Sequence, residues 1–310
     1  MKRKLLITGI SGLLGNNLAY VFREKYAITG WYNSHKVIMP GVNSYKVDIT
    51  DKQLIKEFLS EHKPNIILHC ASLTDIDYCE KNKEETKRVN VEGTQNIVSA
   101  CNNQDTKLVY ISTDAVYDGK KGNYTEDGPV SPCNYYGLTK YEAEGAVGGH
   151  RNHIIARTNI FGWNIQDKHS FAEWILYNLQ RECSINGFND AVFSSIYTME
   201  FARIMDMMLD KDLIGTFNLA SGTSLTKYEF AMLIAEAFYK DKALIKPISI
   251  DDYPFFAKRG KNLSLNIKKL AKNLDIPLPT VETSVELFYN DYNKGILQKL
   301  KSENCLSKKP

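Results

Sequence analysis

Three residues in the middle of the chain have side chains and spacing suited to moving a proton. Tyr136 and Lys140 lie four positions apart in a run of helix-forming residues after Pro132, and residues at this spacing share one face of a helix. An ammonium group beside a phenol lowers the phenol's pKa from about 10 towards the range of an acid–base catalyst. Thr113 follows an apolar run of buried-strand type, so its hydroxyl could hold the same substrate oxygen. We therefore predict a carbonyl or alcohol site with Thr113, Tyr136 and Lys140 as its catalytic residues.

The Tyr-x-x-x-Lys spacing is weak evidence on its own. It occurs three times in the chain, at Tyr32/Lys36, Tyr117/Lys121 and Tyr136/Lys140. The alternative is an exposed tyrosine and a solvated lysine on a surface helix. Only the last occurrence follows a predicted strand and has a nucleotide-binding pattern upstream, which favours chemistry there.

That upstream pattern is a glycine-rich turn at the N-terminus. Leu5–Thr8 is a short apolar strand, and Gly9, Gly12 and Gly15 then open a helix that extends to about Arg23. Glycines allow the backbone N–H groups and the helix N-terminus to approach a pyrophosphate. The position of the turn between a strand and an amphipathic helix favours dinucleotide binding over a plain loop. The predicted cofactor contacts are Gly9, Ser11, Gly12, Leu13, Leu14 and Gly15.

The turn after the second predicted strand, 27–32, bears on the choice of cofactor. NAD-binding versions of this arrangement place an acidic residue about 20 positions after the glycines. Here the sequence has Asn33, Ser34, His35 and Lys36 instead. Without a carboxylate to repel a 2′-phosphate, and with two basic side chains beside it, the turn predicts NADP(H) as the preferred cofactor and NAD(H) as a possible one. A solvated polar turn is the alternative.

The order of predicted elements indicates an α/β fold, a doubly wound parallel sheet of Rossmann type with a smaller C-terminal lobe. Strand and helix alternate up to 153–157, after which the rhythm breaks. We expect a dinucleotide-binding domain over 1–160, with returning segments near 199–222, and a substrate-binding lobe over 161–300. Ligands bind beyond the carboxyl ends of such strands, where Ser72 and Asn159 fall. The tail after about Gln298 is polar and rich in lysine, so we expect it to fray.

Composition limits the remaining classes of function. The 310 residues carry a net charge of +3, too small to indicate nucleic-acid binding. Six scattered cysteines without a Cys-x-x-Cys pair, and no histidine cluster, predict free thiols in a reducing compartment and no metal site. No run is long enough for a signal peptide or a membrane span. We expect a cytoplasmic protein without a membrane partner, for which a homodimer is one compatible assembly.

The motifs together resemble a known family. Thr113 after an apolar strand, with Pro-x-x-x-Tyr-Gly-x-x-Lys at 132–140, resembles the extended short-chain dehydrogenase/reductases, and residues 254–279 resemble the end of dTDP-4-dehydrorhamnose reductases. The resemblance extends over about 4–290. It implies that Asp48 and Ile49 lie at the adenine. Further cofactor contacts implied in this way are Cys70, Ala71, Ser72 and Thr74.

The same resemblance implies a substrate and a reaction. Sugar-nucleotide dehydratases carry a Glu, and a related epimerase-reductase a Cys, at the position of Ala115. Alanine can do neither job, which favours simple reduction of a 4-keto sugar, with hydride from the nicotinamide and a proton from Tyr136. In this scheme Lys140 holds the cofactor ribose. The implied substrate-binding residues are Thr113, Asp114, Asn159, Lys258 and Arg259, of which the last two would grip a diphosphate unless they form only an exposed basic loop.

Alternatives remain open at this point. The reductase branch has Tyr at the Ala115 position and Pro-Thr where this chain has Ser195-Ile196, so the sugar itself is not specified. The β subunit of methionine adenosyltransferase resembles the same branch, which allows a non-catalytic, NADP-binding regulatory subunit. A sugar-nucleotide epimerase is the third alternative. The acidic residues Asp75, Asp77 and Glu80 resemble the reductase branch too, but helix N-terminal charge is the explanation favoured for them.

Overall fold

The computed structural model describes residues 1–101, 105–166 and 168–304. Within these ranges the strands β1 to β13 are Lys4–Thr8, Ala27–Tyr32, Val42–Lys46, Ile66–His69, Lys107–Ile111, His153–Arg157, Ile160–Phe161, Ile185–Phe188, Val192–Phe193, Ile196–Tyr197, Gly215–Asn218, Leu225–Thr226 and Ile245–Ile248. The helices α1 to α12 are Leu13–Phe22, Lys52–His62, Ile76–Lys81, Lys83–Lys87, Gly93–Cys101, Tyr135–Gly148, Phe171–Gln180, Thr198–Asp210, Lys227–Ala237, Lys268–Leu274, Val281–Asn293 and Ile296–Asn304.

A parallel sheet forms the centre of the molecule. Its strands stand in the order β3-β2-β1-β4-β5-β6-β11, and each neighbouring pair is parallel. The order reverses between β1 and β4, so the carboxyl ends of these two strands border a crevice suited to a ligand. The predicted doubly wound α/β fold is confirmed.

Apolar side chains cover both faces of this sheet. Along β1, Leu5 and Ile7 pack on one face with α1 and α8, whereas Leu6 packs on the other with α2, α5 and α6. A strand buried on both faces needs an unbroken apolar run rather than an alternating one. Each fully buried leucine or isoleucine contributes about 1.5–3 kcal/mol of transfer free energy. This burial holds the carboxyl ends of β1, β4 and β5 rigidly side by side.

Polar residues mark where the helices begin. Asp51 accepts a hydrogen bond from the Leu54 N–H at the start of α2, and Asn134 accepts one from the Gly137 N–H at the start of α6. Such caps satisfy backbone donors that the first helical turn leaves free. The Asn134 cap fixes the first turn of the helix that carries Tyr136 and Lys140.

Residues after β6 build a second apolar cluster. It includes Phe161, Trp163, Phe193, Phe230 and Phe288, which come from the segments between β7 and α11. The short strands here form pairs outside the main sheet, β7 with β10, β9 with β12 and β8 with β13. The chain also returns to the main sheet, because α8 packs on α1 and β11 pairs with β6.

The predicted fraying of the tail is wrong for residues 299–304. They belong to α12, in which Leu300 is fully buried and Glu303 pairs with Arg23. Sequence polarity misled the prediction, since one apolar residue per two turns is enough to anchor a short helix on an existing core. Cys305 lies outside the described residues.

Candidate active site

The glycine turn leaves no room for side chains. Gly9 has a positive φ of 65°, and a Cβ there would lie 2.7 Å from the Ala71 backbone nitrogen. A Cβ at Gly15 would lie 2.4 Å from the Gly9 carbonyl oxygen. The turn therefore holds β1, α1 and the end of β4 at backbone contact. Gly9, Gly12, Leu13, Leu14 and Gly15 line the wall of a cavity of about 460 Å³ at the sheet's carboxyl edge, and Ser11 lies in the same turn, where its carbonyl accepts a hydrogen bond from Gln166.

The remaining predicted cofactor residues surround this turn. Asn33, Ser34, His35 and Lys36 follow β2 and are exposed. Asp48 is exposed and accepts two hydrogen bonds from Thr50, while Ile49 is buried. After β4, Cys70, Ser72 and Thr74 line the cavity, and the Ala71 N–H donates to Thr8. The structure thus brings the predicted residues to the sheet edge where a dinucleotide would lie.

The predicted catalytic residues line the same cavity. Thr113 follows β5, and Tyr136 and Lys140 project from the first two turns of α6. Gly137 explains how α6 approaches so closely, because a Cβ there would lie 2.1 Å from the Ala115 carbonyl oxygen. The Tyr-Gly pair therefore presses the start of α6 onto the loop after β5. This contact brings the phenol of Tyr136 beside the hydroxyl of Thr113.

Lys140 is fixed by two contacts beneath the cavity. Its Nζ donates to the Ile111 carbonyl at 2.7 Å and lies 4.1 Å from the centre of the Tyr110 ring. Burial lowers the pKa of Lys140 to about 7, and the Glu144 carboxylate opposes the shift. Lys140 therefore holds its charge less readily than an ordinary lysine, and it is tied to the strand rather than to the phenol.

The predicted lowering of the Tyr136 pKa by Lys140 is wrong. Burial raises the pKa of Tyr136 well above its ordinary value of 10.0, and the Thr113 hydroxyl opposes the shift only in part. The physical reason is that desolvation penalises the phenolate more than its neighbours stabilise it. Tyr136 is consequently held as a protonated phenol, which is the form that donates a proton.

Asp114 sits next to Thr113 with its carboxylate fixed on both sides. The Thr113 hydroxyl donates to one oxygen at 3.1 Å, and the Asn159 amide donates to the other at 2.9 Å. Burial raises the pKa of Asp114 to about 6. The arrangement brings Thr113, Asp114 and Asn159 together at the cavity.

A buried ion pair behind the site was missed by sequence reasoning. Arg157 of β6 makes a two-pronged contact with Glu144 of α6, with its Nη2 2.7 Å from the carboxylate. Ser112 donates to the same carboxylate, and Arg157 also donates to the Tyr117 hydroxyl. Glu144 lies one helical turn beyond Lys140, and this spacing indicates in the sequence that both side chains lie on one face of α6. The network ties α6 to β5 and β6 and so fixes the position of the helix that carries Tyr136 and Lys140.

Only one of the two predicted phosphate-binding residues lines the cavity. Arg259 lines the cavity, and its Nη2 pairs with Asp77 at 2.9 Å. Lys258 is exposed and borders an outer cleft of about 660 Å³, which also contains Arg259. Asp77 and Glu80 do more than place negative charge at a helix N-terminus, because Asp77 pairs with Arg259 and Glu80 accepts a hydrogen bond from the Tyr135 N–H. Asp75 caps the N-terminus of α3, in line with the explanation favoured from the sequence.

Lys227 is a cavity residue that the sequence analysis did not select. It is the first residue of α9 and lines the cavity with Ala191 and Phe193. A cation in the first turn opposes the helix dipole at a cost of about 0.3–1 kcal/mol. That mismatch in the run Thr226-Lys-Tyr-Glu229 was a signal available in the sequence.

Within the described ranges, no group of three or more His, Cys, Asp or Glu residues is placed to hold a metal ion. Nor does any helix in those ranges have the length and apolar character that crossing a bilayer requires.

The fold and the site define an extended short-chain dehydrogenase/reductase. Three features support this class: the parallel sheet whose strand order reverses between β1 and β4, the glycine turn, and the Thr113, Tyr136 and Lys140 side chains in one cavity. The chain belongs to the family described as the RmlD substrate binding domain, whose model matches residues 3–294. The predicted resemblance is confirmed.

Individual relatives agree with this assignment. A probable low-salt glycan biosynthesis reductase from Haloferax volcanii is 28% identical over 296 residues, which cover 93% of this chain and 98% of that protein. The methionine adenosyltransferase 2 subunit beta of Mus musculus is 26% identical over 282 residues, covering 86% and 81%. The solved dTDP-4-dehydrorhamnose reductase of Bacillus anthracis, in complex with NADP, superposes with a TM-score of 0.84 at 27% identity, covering 94% of this chain and 100% of that one.

Proposed function

We propose that this protein is an NADPH-dependent reductase of a nucleotide-diphosphate 4-keto-6-deoxy sugar. The observation that carries the proposal is the meeting of Thr113, Tyr136 and Lys140 with the glycine turn in one cavity. Similarity to a glycan biosynthesis reductase and to a dTDP-4-dehydrorhamnose reductase supports the substrate class. The reaction converts the C4 carbonyl of the sugar to an alcohol.

Tyr136 is the proton donor in this reaction. Burial keeps its phenol protonated, and the Thr113 hydroxyl beside it can turn its single proton from Asp114 to the same carbonyl oxygen. When bound, the reduced dinucleotide supplies the hydride. As negative charge develops on the oxygen, the proton moves from Tyr136 Oη to it, and the Thr113 hydrogen bond holds the oxygen in line. The phenolate that remains regains its proton from solvent.

Lys140 serves the cofactor in this proposal. Its Nζ lies beneath the cavity at the Ile111 carbonyl and keeps further N–H donors for a ribose hydroxyl. A ligand oxygen there would favour the charged form and raise the pKa of Lys140 from about 7. The residue would then be an ammonium when Tyr136 releases its proton.

NADP(H) is the proposed cofactor, with NAD(H) as a weaker one. The glycine turn has the shape a pyrophosphate requires, because side chains at Gly9 or Gly15 would meet backbone. His35 and Lys36 are exposed after β2, where no carboxylate opposes a 2′-phosphate. The Bacillus anthracis structure contains NADP, which supports the same choice.

The substrate lies with its sugar at Thr113 and its diphosphate at Arg259. Asp114 and Asn159 form a fixed polar pair that can bind sugar hydroxyls beside the reacting carbon. Ala115 lines the cavity without an acidic group, so the proton abstraction that a dehydratase needs has no residue there. Lys258 borders the outer cleft, where it would meet the nucleoside side of the diphosphate.

The proposal includes the organisation of the chain. A dinucleotide-binding domain over 1–160, with β11 and α8 returning to it, carries the reaction chemistry, and 161–300 forms the substrate lobe. We expect a homodimer in the cytoplasm. Light scattering on purified protein measures the assembly, for which a mass of twice the chain is expected.

A direct spectrophotometric assay tests the reductase function. Protein, NADPH and a dTDP-4-keto-6-deoxy sugar are mixed while absorbance near 340 nm is followed, and a fall in absorbance that depends on all three is expected. NADPH binding without consumption of any such substrate would favour the regulatory-subunit alternative suggested by the methionine adenosyltransferase relative. Inversion of a sugar centre without net NADPH consumption would indicate an epimerase.

A further inference from the structure

Lys227 is a half-buried cation in the cavity wall that forms no close ion pair with any described residue. Its backbone N–H donates to the Ala191 carbonyl at 2.9 Å, which fixes the start of α9. The Nζ lies 5.5 Å from the centre of the Phe171 ring and 5.9 Å from that of Phe188. Among the residues that the structure describes, no carboxylate lies within 4.0 Å of it and no acceptor takes its hydrogen bonds. The aromatic rings hold the ammonium while its three donors remain free.

Arg259 brings a second cation to the same cavity. Its guanidinium carbon lies 4.7 Å from the centre of the Phe255 ring, and its Nη2 lies 2.9 Å from the Asp77 carboxylate. Burial lowers the pKa of Lys227, the Asp114 carboxylate opposes that shift, and the positive field of Arg259 adds to it. Lys227 and Arg259 therefore bring two positive charges to one cavity. Among the described residues, only Arg259 forms a close ion pair, with Asp77. A ligand with two negative charges would satisfy both cations.

The two cations follow an order along the cavity. Lys227 lines only the inner cavity, together with Thr113 and Asp114, whereas Arg259 lines both that cavity and the outer cleft. Thr113, Asp114 and Lys227 therefore belong to the inner cavity, and Arg259 lies where it meets the outer cleft. A sugar-diphosphate-nucleoside follows the same order, with the sugar at the reacting end.

We propose that Lys227 binds the phosphate attached to the sugar and that Arg259 binds the phosphate attached to the nucleoside. This assignment rests on the proposed function for its substrate class. Phosphate binding explains why α9 begins with a lysine. The N-terminus of a helix favours negatively charged side chains, such as Glu229 in the capping box with Thr226, and disfavours a cation. A residue that weakens its own helix end is retained where a ligand uses it.

Calorimetric titration with dTDP, dTMP and thymidine separates the two phosphates. Lys227→Met keeps the length and packing of the side chain against Phe171 and removes the charge. We expect it to lower dTDP affinity by about 10- to 100-fold, the loss of a charge-assisted contact, and dTMP affinity by less than about 2-fold. Arg259→Met should lower both affinities by about 10-fold or more. Thymidine binding should change in neither variant.

Lys246→Met is the matched control, because it removes the same charge from an exposed position on β13 that lines neither cavity. It should bind all three ligands as the wild type does. Undiminished dTDP affinity in Lys227→Met would overturn the proposal, and an equal loss for dTDP and dTMP would overturn the assignment of phosphates.

Folding and function are checked separately. NADPH titration and thermal melting report whether Lys227→Met is folded, Lys227→Gln provides a second uncharged variant, and Lys227→Arg should retain most dTDP affinity. If wild type consumes NADPH with substrate but Lys227→Met binds dTDP normally, only this inference fails. If the phosphate pattern appears but wild type never consumes NADPH, only the reductase function fails. UDP and UMP replace the thymidine nucleotides if wild type binds them more tightly. Failure of both diphosphates to bind overturns this inference, whereas NADPH consumption alone decides the reductase function.

Discussion

The two ends of the cavity hold their basic side chains in different ways. At the reaction end, Thr113, Tyr136 and Lys140 project from β5 and α6, and each is fixed by the sheet: Lys140 donates to a strand carbonyl at 2.7 Å. At the phosphate end, Lys227 and Arg259 come from α9 and from a loop, and aromatic rings support both cations. Burial lowers the pKa of both lysines. Lys140 uses a donor on a strand carbonyl, whereas the Lys227 ammonium has no hydrogen-bond acceptor among the described residues.

The difference follows from what each end must do. Proton transfer needs a protonated phenol held within a few tenths of an ångström, so rigidity and burial serve it. Binding a dianion needs positive charge before the ligand arrives, and a ring face holds a cation without using its N–H groups. Substitutions at the reaction end should therefore change turnover, and those at the phosphate end should change affinity.

Tyr136→Phe should have the largest effect, because it removes the transferable proton and retains the ring. We expect reduction to slow by about 10² to 10⁴ while NADPH affinity stays nearly unchanged. Steady-state rates and a fluorescence titration of NADPH measure the two quantities. Wild-type turnover in this variant would remove Tyr136 from the mechanism.

Arg259→Ala should affect affinity rather than chemistry. Loss of a charge-assisted contact of roughly 1.5–3 kcal/mol lowers dTDP affinity by about 10- to 150-fold. NADPH binding should not change, since the glycine turn is intact. Calorimetry with dTDP and UDP on both proteins checks this, and equal affinities would return Arg259 to the status of a partner for Asp77 alone.

Lys36→Ala should have a smaller effect at the cofactor's outer end. Wild type is expected to bind NADPH more tightly than NADH, and an exposed lysine–phosphate contact of about 1 kcal/mol predicts a loss of roughly 5-fold for NADPH only. Parallel fluorescence titrations measure both cofactors. A preference for NADH that Lys36→Ala leaves unchanged would mean that the turn after β2 is only solvated.

Lys140→Met should stabilise the protein while it abolishes turnover. The folded-state pKa of Lys140 is lowered to about 7 from 10.5, so the folded protein favours the neutral amine. The wild type therefore gains stability as pH rises from 7 to 10.5 and lacks that contribution below pH 7. The gain in Tm from Lys140→Met should be at least about 2 °C larger at pH 6 than at pH 10. Equal gains at both pH values would show that burial does not disfavour the charged lysine.

Sequence reasoning located the elements better than it described their electrostatics. The strands 27–32 and 153–157 were predicted with the bounds that the structure has, because apolar runs flanked by polar residues define buried strands. The Tyr136–Lys140 pair was found from helical spacing. The direction of the Tyr136 pKa was wrong, since burial depends on the whole fold and not on the neighbouring residue in the helix.

Contacts between distant segments were beyond the sequence. Arg157 meets Glu144 across a strand and a helix, and Arg259 meets Asp77 from the far end of the chain. Lys227 reaches the cavity only because β9 and β12 pair and bring α9 beside Ala191. These positions follow from how the second apolar cluster packs on the sheet.

The most direct test of the reductase function follows the hydride itself. Wild-type protein is incubated with NADPH deuterated on the transferred position of the nicotinamide and with a dTDP-4-keto-6-deoxy sugar, and the product is analysed by mass spectrometry and NMR. The proposed reaction predicts a dTDP-6-deoxy sugar with one deuterium bound to C4, and formation of that product slowed by about 10² to 10⁴ when Tyr136→Phe replaces the wild type under the same conditions. Product without deuterium, or deuterium at any other carbon, would contradict it.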